Sequence, residues 1–202
     1  MVRLSEQRKE ALNSMMQEAI HTAAVAVLTE HGISGMTMDR VAEQAEVSKG
    51  SLYKYFPNKL ALMRFVHKKA IEPLMQIGQE VLETDLPAPR KLESLIRAWL
   101  EYLVEHRGLL VFFATDTTVR GMLKREEETG RASAIQNLAA VIEQGIDEKV
   151  FRPVDPTRVA GFIFGAFRHM CEQQFAKSEP WPVDKLTKDS VDFFVHGLAA
   201  GK

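Results

Sequence analysis

The stretch from Met36 to Lys59, MTMDRVAEQAEVSKGSLYKYFPNK, constrains this chain more than any other part of it. Two short amphipathic segments flank a tight turn. Thr37 is a good N-cap for the first, with Asp39 in the opening turn, where the helix dipole favours an acid. Val41, Ala42 and Ala45 form its inner face. Ser48 caps the second segment, in which Leu52, Tyr53 and Phe56 recur at helical spacing. Ala42, Ala45 and Val47 are compact where two helices must cross steeply. Pro57 ends the second helix, and Asn58 is placed to cap a further one from Lys59. This is the grammar of a helix-turn-helix, a module that sets one helix into the DNA major groove. A surface helical hairpin with a few lysines would show the same composition, so spacing and chemistry have to separate the two.

The chemistry is local. Lys49, Lys54 and Lys59 bring positive charge to the second helix and its exit, and Ser51 and Tyr55 can donate to backbone oxygens. Gly50 lets the helix backbone come close to a duplex, and the helix start at Ser48 offers free amides to a phosphate. Lys49, Ser51 and Lys54 are expected to face the groove. Thr37, Tyr53, Tyr55 and Lys59 are expected on phosphates. Through Ala70, ten basic residues stand against seven acidic ones, a net of +3, whereas the whole chain carries -1 and the remainder therefore -4. A basic head on an acidic body suits one module that meets DNA and one that meets something else.

Helix is expected almost throughout. Ser5–Glu30 carries an apolar stripe of Ile20, Ala23, Ala24, Val27 and Leu28, stopped by His31-Gly32. A fourth helix should run from Lys59 to about Leu82, kinked or divided by Pro73. Asp85-Leu86-Pro87-Ala88-Pro89 reads as a linker. Beyond it, helical patterns cover Leu92–Glu105, Gly108–Thr115, Val119–Lys149, Pro156–Lys177 and Val183–Leu198. The last break falls at Ser178-Glu179-Pro180. No useful β-alternation, repeat or low-complexity tract is present.

The DNA-reading stretch resembles the N-terminal domain of the tetracycline-repressor family of bacterial transcriptional regulators. The residues that carry the likeness are Ala23, Gly32, Thr37, Ala42, Ala45, Val47, Ser48, Tyr53, Tyr55, Phe56 and Lys59. One departure stands out: the turn position before Val47, often Gly in the family, is Glu46, which adopts left-handed backbone only at a cost. The resemblance implies an all-α protein in two domains. Residues 1–57 would form a three-helix domain with the helix-turn-helix. Residues 58–202 would form a helical ligand-binding and dimerisation domain, its first helix acting as connector. It also implies that two late helices pair with their symmetry mates in a four-helix bundle.

The body sequence fits that implication. Trp99, Tyr102, Phe112, Phe113, Met122 and Phe162 are candidates for lining an apolar ligand site, with His106, Asp116, His169 and Glu172 as polar handles. Most such residues are ordinarily core. Gly161 and Gly165, one turn apart, each cost a soluble helix roughly 1 kcal/mol relative to Ala, which a close helix approach would offset. With Arg168, Phe194 and Leu198 they are the candidate dimer interface. The balance of many aromatic and few polar candidates points to a hydrophobic or aromatic effector.

Other classes find little support. The six histidines are scattered, without metal-ligand spacing, and Cys171 is alone, so neither a disulfide within the chain nor a thiolate metal cluster can form. No phosphate-cradling loop or nucleophile elbow occurs, and Glu126-Glu127-Glu128 reads as a solvated face. No cofactor, metal or catalytic activity is expected. Neither a signal peptide nor a membrane span is visible, so a cytoplasmic protein is expected. Double-stranded operator DNA, a second copy of the chain and a small apolar effector are the expected partners. The competing expectation is a small-molecule-binding or protein-interaction module that lacks operator recognition.

Overall fold

The structure, a computed structural model, describes residues 2–177, 179 and 181–199, with side chains from Glu6 onward. Ser178 and Pro180, within the break expected at Ser178-Glu179-Pro180, lie outside the described residues. The fold is all-α: α1 Val2–Gly35, α2 Met38–Gln44, α3 Lys49–Tyr55, α4 Lys59–Leu82, α5 Ala88–Glu105, α6 Arg107–Thr115, α7 Thr117–Met122, α8 Lys124–Asp147, α9 Pro156–Phe175 and α10 Val183–Leu198. A single antiparallel bridge joins Phe151 to Ala199 among the described residues. No helix among them is long and apolar enough to cross a membrane.

Several boundaries differ from the sequence expectation, each for a physical reason. The first helix breaks at the expected glycine: Gly32 sits at φ 63° and ψ -174°, outside the helical region, before the chain makes a last turn to Gly35. The Pro87-Ala88-Pro89 segment is not a linker. It begins α5, with Pro87 as the extended N-cap and Ala88 fully buried. Proline in the first turn loses no helical hydrogen bond, because that amide has no partner there anyway. Pro73 does not divide α4, which runs unbroken from Lys59 to Leu82. Packing on both sides holds it, with Leu62, Met63, Val66 and Ala70 buried before the proline and Gly78 buried after it. The expected single helix Val119–Lys149 is two helices, α7 and α8, parted at buried Leu123.

That last break matters because the chain folds as two compact units. The first runs through Ala70 and includes Thr117–Leu123, so α7 belongs with α1 to α3 and the start of α4. The second holds Ile71–Asp116 and the chain from Lys124 onward. Inside the first unit, Ile20, Ala24, Val41, Leu52, Leu62, Met63 and Val66 are essentially removed from water. Their small, compact and branched shapes let α1, α2 and α3 cross closely. Lys69 pairs with Glu18 between α4 and α1 and holds that carboxyl below its ordinary pKa.

In the second unit α8 packs on α9 and α5, α10 lies on α5, and α6 rests against α5 and α9. The α4–α8 approach is so close at Gly78 that a Cβ there would run into the amide of Asn137. Gln79 Nε2 donates to Asn137 Oδ1 at 3.1 Å, tying the same two helices. At the far end of α8, Val150 N and Phe151 N both donate to Gly145 O. Arg152 N then donates to Leu198 O at 2.8 Å, which fastens the end of α10.

The turn between α2 and α3 carries the strain expected of it. Glu46 lies at φ 54°, one of two non-glycine residues with positive φ among those described. Left-handed backbone costs a side-chain-bearing residue about 1–2 kcal/mol, while a glycine gives back about 0.5–1 kcal/mol in lost unfolded-state freedom. Glu46→Gly is therefore expected to stabilise the protein by about 0.5–1 kcal/mol, read as a raised urea midpoint at unchanged slope. A lower midpoint would contradict the assignment of strain to this turn.

Candidate nucleic-acid interface

The helix-turn-helix is built by side chains that close backbone ends. Thr37, extended at φ -117° and ψ 154°, accepts from Arg40 N at 3.2 Å through its hydroxyl and so starts α2. Val47 N donates to Ala42 O at 2.9 Å, which closes the turn. Ser48 Oγ accepts from Ser51 N at 3.1 Å and donates to Ser51 Oγ at 3.0 Å, so this pair of hydroxyls starts α3. Leu52 and Phe56 point inward from α3, and the Phe56 ring meets Phe65 of α4 at 5.1 Å. Asn58 caps α4 as expected, its Oδ1 accepting from Ala61 N at 2.9 Å.

With Leu52 and Phe56 buried, the helical period turns Lys49, Gly50, Tyr53 and Lys54 outward, and all four are exposed. A Cβ at Gly50 would meet nothing nearer than Ser48 Oγ at 4.0 Å, so the backbone is open to a close approach at that point. This face is polar, carries two ammonium groups and one phenol, and has no apolar patch to bury.

The other candidates are placed differently. Tyr55 is half-buried, and its hydroxyl donates to Asn13 Oδ1 of α1 at 3.0 Å. Lys59 is also half-buried, and its ammonium donates to Ile33 O, a carbonyl in the last turn of α1, where helical carbonyls lack amide partners. Burial pushes the Lys59 ammonium below the ordinary lysine pKa. Both residues, expected on phosphates, instead fasten α1 to α3 and α4. Thr37, Ser48 and Ser51 are committed to caps. Their hydroxyls keep spare hydrogen-bonding capacity, but their first task is structural.

Two residues that the sequence does not mark as part of this surface belong to it, Asp39 standing out there only for its place in the first turn of α2. Arg40 donates from Nη1 to Gly35 O at 2.7 Å and closes the end of α1. Asp39 accepts from Lys49 Nζ at 2.6 Å, both side chains remaining well exposed. That hydrogen bond and charge raise the Lys49 ammonium above its ordinary pKa. Ten residues separate the pair across a turn, so no helical period marks it.

The body candidates divide into two groups. Trp99 is buried, donates from Nε1 to Leu74 O at 3.2 Å and leans on Phe167 at 5.4 Å. Tyr102 stacks on His106 with 4.1 Å between ring centroids, and burial raises its phenol pKa. Phe112 and Phe113 meet edge to face at 5.7 Å on α6, with Asp116 as the C-cap of that helix. These six lie on α5 and α6. Of these six Trp99 and Phe113 are buried, Tyr102, Phe112 and Asp116 are half-buried and His106 is exposed, while Phe162, His169 and Glu172 are exposed on α9, where Glu172 pairs with Arg168 at 3.1 Å. Met122 belongs to the first unit rather than the body. Of the candidate interface residues, Gly161 and Gly165 have open space where a side chain would stand. Phe194 is half-buried, and Leu198 is turned into the chain's own core. Cys171 is buried too, and its thiol is pushed up to about 12, leaving it protonated and unreactive at neutral pH. No group of three or more histidine, cysteine, aspartate or glutamate side chains that could hold a metal occurs among the described residues.

Known proteins share this arrangement. The profile described as "Bacterial regulatory proteins, tetR family" matches residues 20–65, and "Tetracyclin repressor-like, C-terminal domain" matches residues 85–198. YhgD of Bacillus subtilis, named as an HTH-type transcriptional regulator, is 28% identical over 172 residues, which cover 85% of this chain and 89% of that protein. Among solved structures, SmeT of Stenotrophomonas maltophilia in complex with triclosan superimposes with a TM-score of 0.77 at 18% identity, covering 92% of each chain. The Bacillus subtilis regulator FadR in complex with stearoyl-CoA gives a TM-score of 0.73 at 19% identity, covering 90% of this chain and 98% of that one. At such identities the two structures show a shared fold and no more. The two profiles, which together take in the helix-turn-helix and most of the body, show that the chain belongs to the tetR family of bacterial regulatory proteins and is, in general terms, a ligand-responsive DNA-binding regulator.

Proposed function

We propose that this regulator is a repressor that holds a palindromic operator as a homodimer and lets go when a hydrophobic or aromatic small molecule enters its body. The observation that carries the DNA half of this reading is the outward face of α3. Lys49, Gly50, Tyr53 and Lys54 stand exposed on a helix whose opposite side is locked by Leu52 and Phe56. Lys54 has no ion pair among the described residues, and its charge is available to a phosphate.

One short recognition helix reads few bases, and two held about 34–36 Å apart read a palindrome. The pairing surface on this reading is formed by α9 and α10. Phe162 is 67% exposed and Phe193 76% exposed, large apolar surface that a partner helix would cover. Gly161 and Gly165 present bare backbone on the same helix as Phe162. The effector half rests on Trp99, Tyr102, Phe112 and Phe113, buried or half-buried on α5 and α6, with half-buried Asp116 and exposed His106 as polar handles. SmeT and FadR, of the same fold, hold triclosan and stearoyl-CoA respectively. The unbroken α4 begins in the first unit and ends in the second, which makes it the natural carrier of any change from body to operator. An effector acts only through a difference in affinity for the two spacings of the recognition helices.

Three outcomes are expected. Titration of the full chain against duplexes selected from a random pool should show affinity falling linearly with log salt. Lys54→Ala should reduce that slope by about one per bound copy without changing sequence preference. Absence of any sequence-preferring complex would refute the operator reading. Gly165→Leu should leave the monomer folded, since nothing in the chain fills that space, yet shift sedimentation from dimer to monomer and abolish tight operator binding. An unchanged sedimentation coefficient would remove Gly165 from the interface. A saturating apolar ligand that quenches Trp99 fluorescence should weaken operator binding by roughly 5- to 150-fold. If every ligand shown to occupy the body leaves operator affinity unchanged, the body is a dimerisation scaffold.

A further inference from the structure

Asp39 is an odd residue to find on a surface that meets phosphates. It lies in the first turn of α2, exposed, with Oδ2 at 2.6 Å from the Lys49 ammonium at the start of α3. A carboxylate there repels the DNA backbone and cancels the charge of the lysine beside it, so the pair weakens the sequence-independent part of binding. A lysine meant only for a phosphate gains nothing from such a neighbour. What the pair does provide is an ordered pattern of hydrogen-bonding groups. The ammonium has three N–H donors, of which Asp39 takes one and leaves two. Asp39 Oδ1 accepts no hydrogen bond among the described residues, so the carboxylate keeps acceptor capacity.

That pattern is met most fully by one base pair. In the major groove a G·C pair shows two acceptors on guanine, N7 and O6, followed by a donor on cytosine, the N4 amino group. Guanine O6 and cytosine N4 are themselves hydrogen-bonded, at about 2.9 Å, the usual N–H···O separation. The 2.6 Å between Lys49 Nζ and Asp39 Oδ2 is close to that spacing, so the two side-chain groups can meet the two base groups side by side. A·T and T·A pairs also show an acceptor beside a donor, adenine N7 or thymine O4 next to adenine N6, but they give the ammonium one acceptor at that place where guanine gives two. A reversed C·G pair presents the matching groups in the wrong order.

We propose that Asp39 and Lys49 act together as one reader of a G·C base pair, Lys49 donating to guanine and Asp39 accepting from cytosine, so that Asp39 sets specificity while lowering general affinity. This rests on the reading of α3 as the DNA-facing helix. It assigns to α2 a part in base recognition that the exposed face of α3 does not by itself provide.

The test uses the full-length chain and duplexes that the wild-type protein selects from a random pool. Each half-site position is then varied through all four base pairs, and binding is measured by fluorescence anisotropy for wild type, Asp39→Ala, Asp39→Asn and Lys49→Met. Wild type should show one position where G·C is preferred by roughly 5- to 100-fold over the reversed C·G pair, with A·T and T·A in between. Asp39→Ala should lose most of that preference while binding a scrambled duplex as tightly as wild type or more so. Asp39→Asn, which keeps the side-chain size and lacks the charge, should also lose the discrimination against other pairs. Lys49→Met should lose preference at the same position and weaken binding to both duplexes. Thermal melting within a few degrees of wild type shows that these exposed substitutions leave the fold intact. The proposal is overturned if both Asp39 variants keep every positional preference, or if Asp39 and Lys49 variants act at different positions. Should wild type select no duplex at all, the DNA-binding reading fails and takes this one with it, a result distinct from selective binding that ignores Asp39.

Discussion

A helix of seven residues has almost no stability of its own, because nucleation fixes several residues for each hydrogen bond it closes. α2 and α3 are both of this length. They persist because their ends are closed by side chains and their inner faces are buried. Thr37 and Ser48 take up amide protons at the N-termini, and Leu52 and Phe56 remove the inner side of α3 from water. Tyr55 and Lys59, bonded to Asn13 and to the carbonyl of Ile33, fix the exit of α3 against α1. Everything presented on the outer face inherits its position from these inward bonds. A cap of this kind contributes about 1 kcal/mol, which is small in a whole protein but decisive for an element this short.

Much of this module is legible in the sequence. Thr37, Ser48 and Asn58 are strong caps by chemistry alone, and Gly32 and Pro57 are stops by backbone geometry, so the first three helices can be drawn from the residues. The strain at Glu46 is equally legible, because left-handed backbone penalises a side chain wherever it occurs. The side chains of Tyr55 and Lys59 are not. Both are polar and lie beside the recognition helix, and only the position of α1 turns them inward. The Asp39–Lys49 pair is hidden for the same reason: its partners are brought together by a crossing angle, not by a period.

The body is less legible. Apolar residues on α9 recur in a way that fits either a buried or a partnered face, and sequence cannot separate them. Phe167 goes inward against Trp99 while Phe162, five residues earlier, stays outside. The proline-rich segment before α5 misleads because proline stops a helix at its end but starts one equally well. Pro73 misleads in the opposite way, since packing on both sides can hold a helix through a missing hydrogen bond.

The assignment of α7 to the first unit has a consequence for how this protein is made. Residues through Ala70 leave the ribosome early, but Thr117–Leu123, with Val119 and Leu123 buried, follow some fifty residues later. The first unit thus lacks a piece of its interior while the rest of α4, α5 and α6 are being synthesised. At about 5–20 residues per second that interval lasts a few seconds. Closing it requires a long loop to return, with an entropic cost that grows only slowly with loop length. The interior of the first unit is therefore complete only after Thr117–Leu123 has been made. The stretch that carries α5 and α6 precedes that last piece in the chain, so the head has all of its own residues available later than its place at the N-terminus suggests.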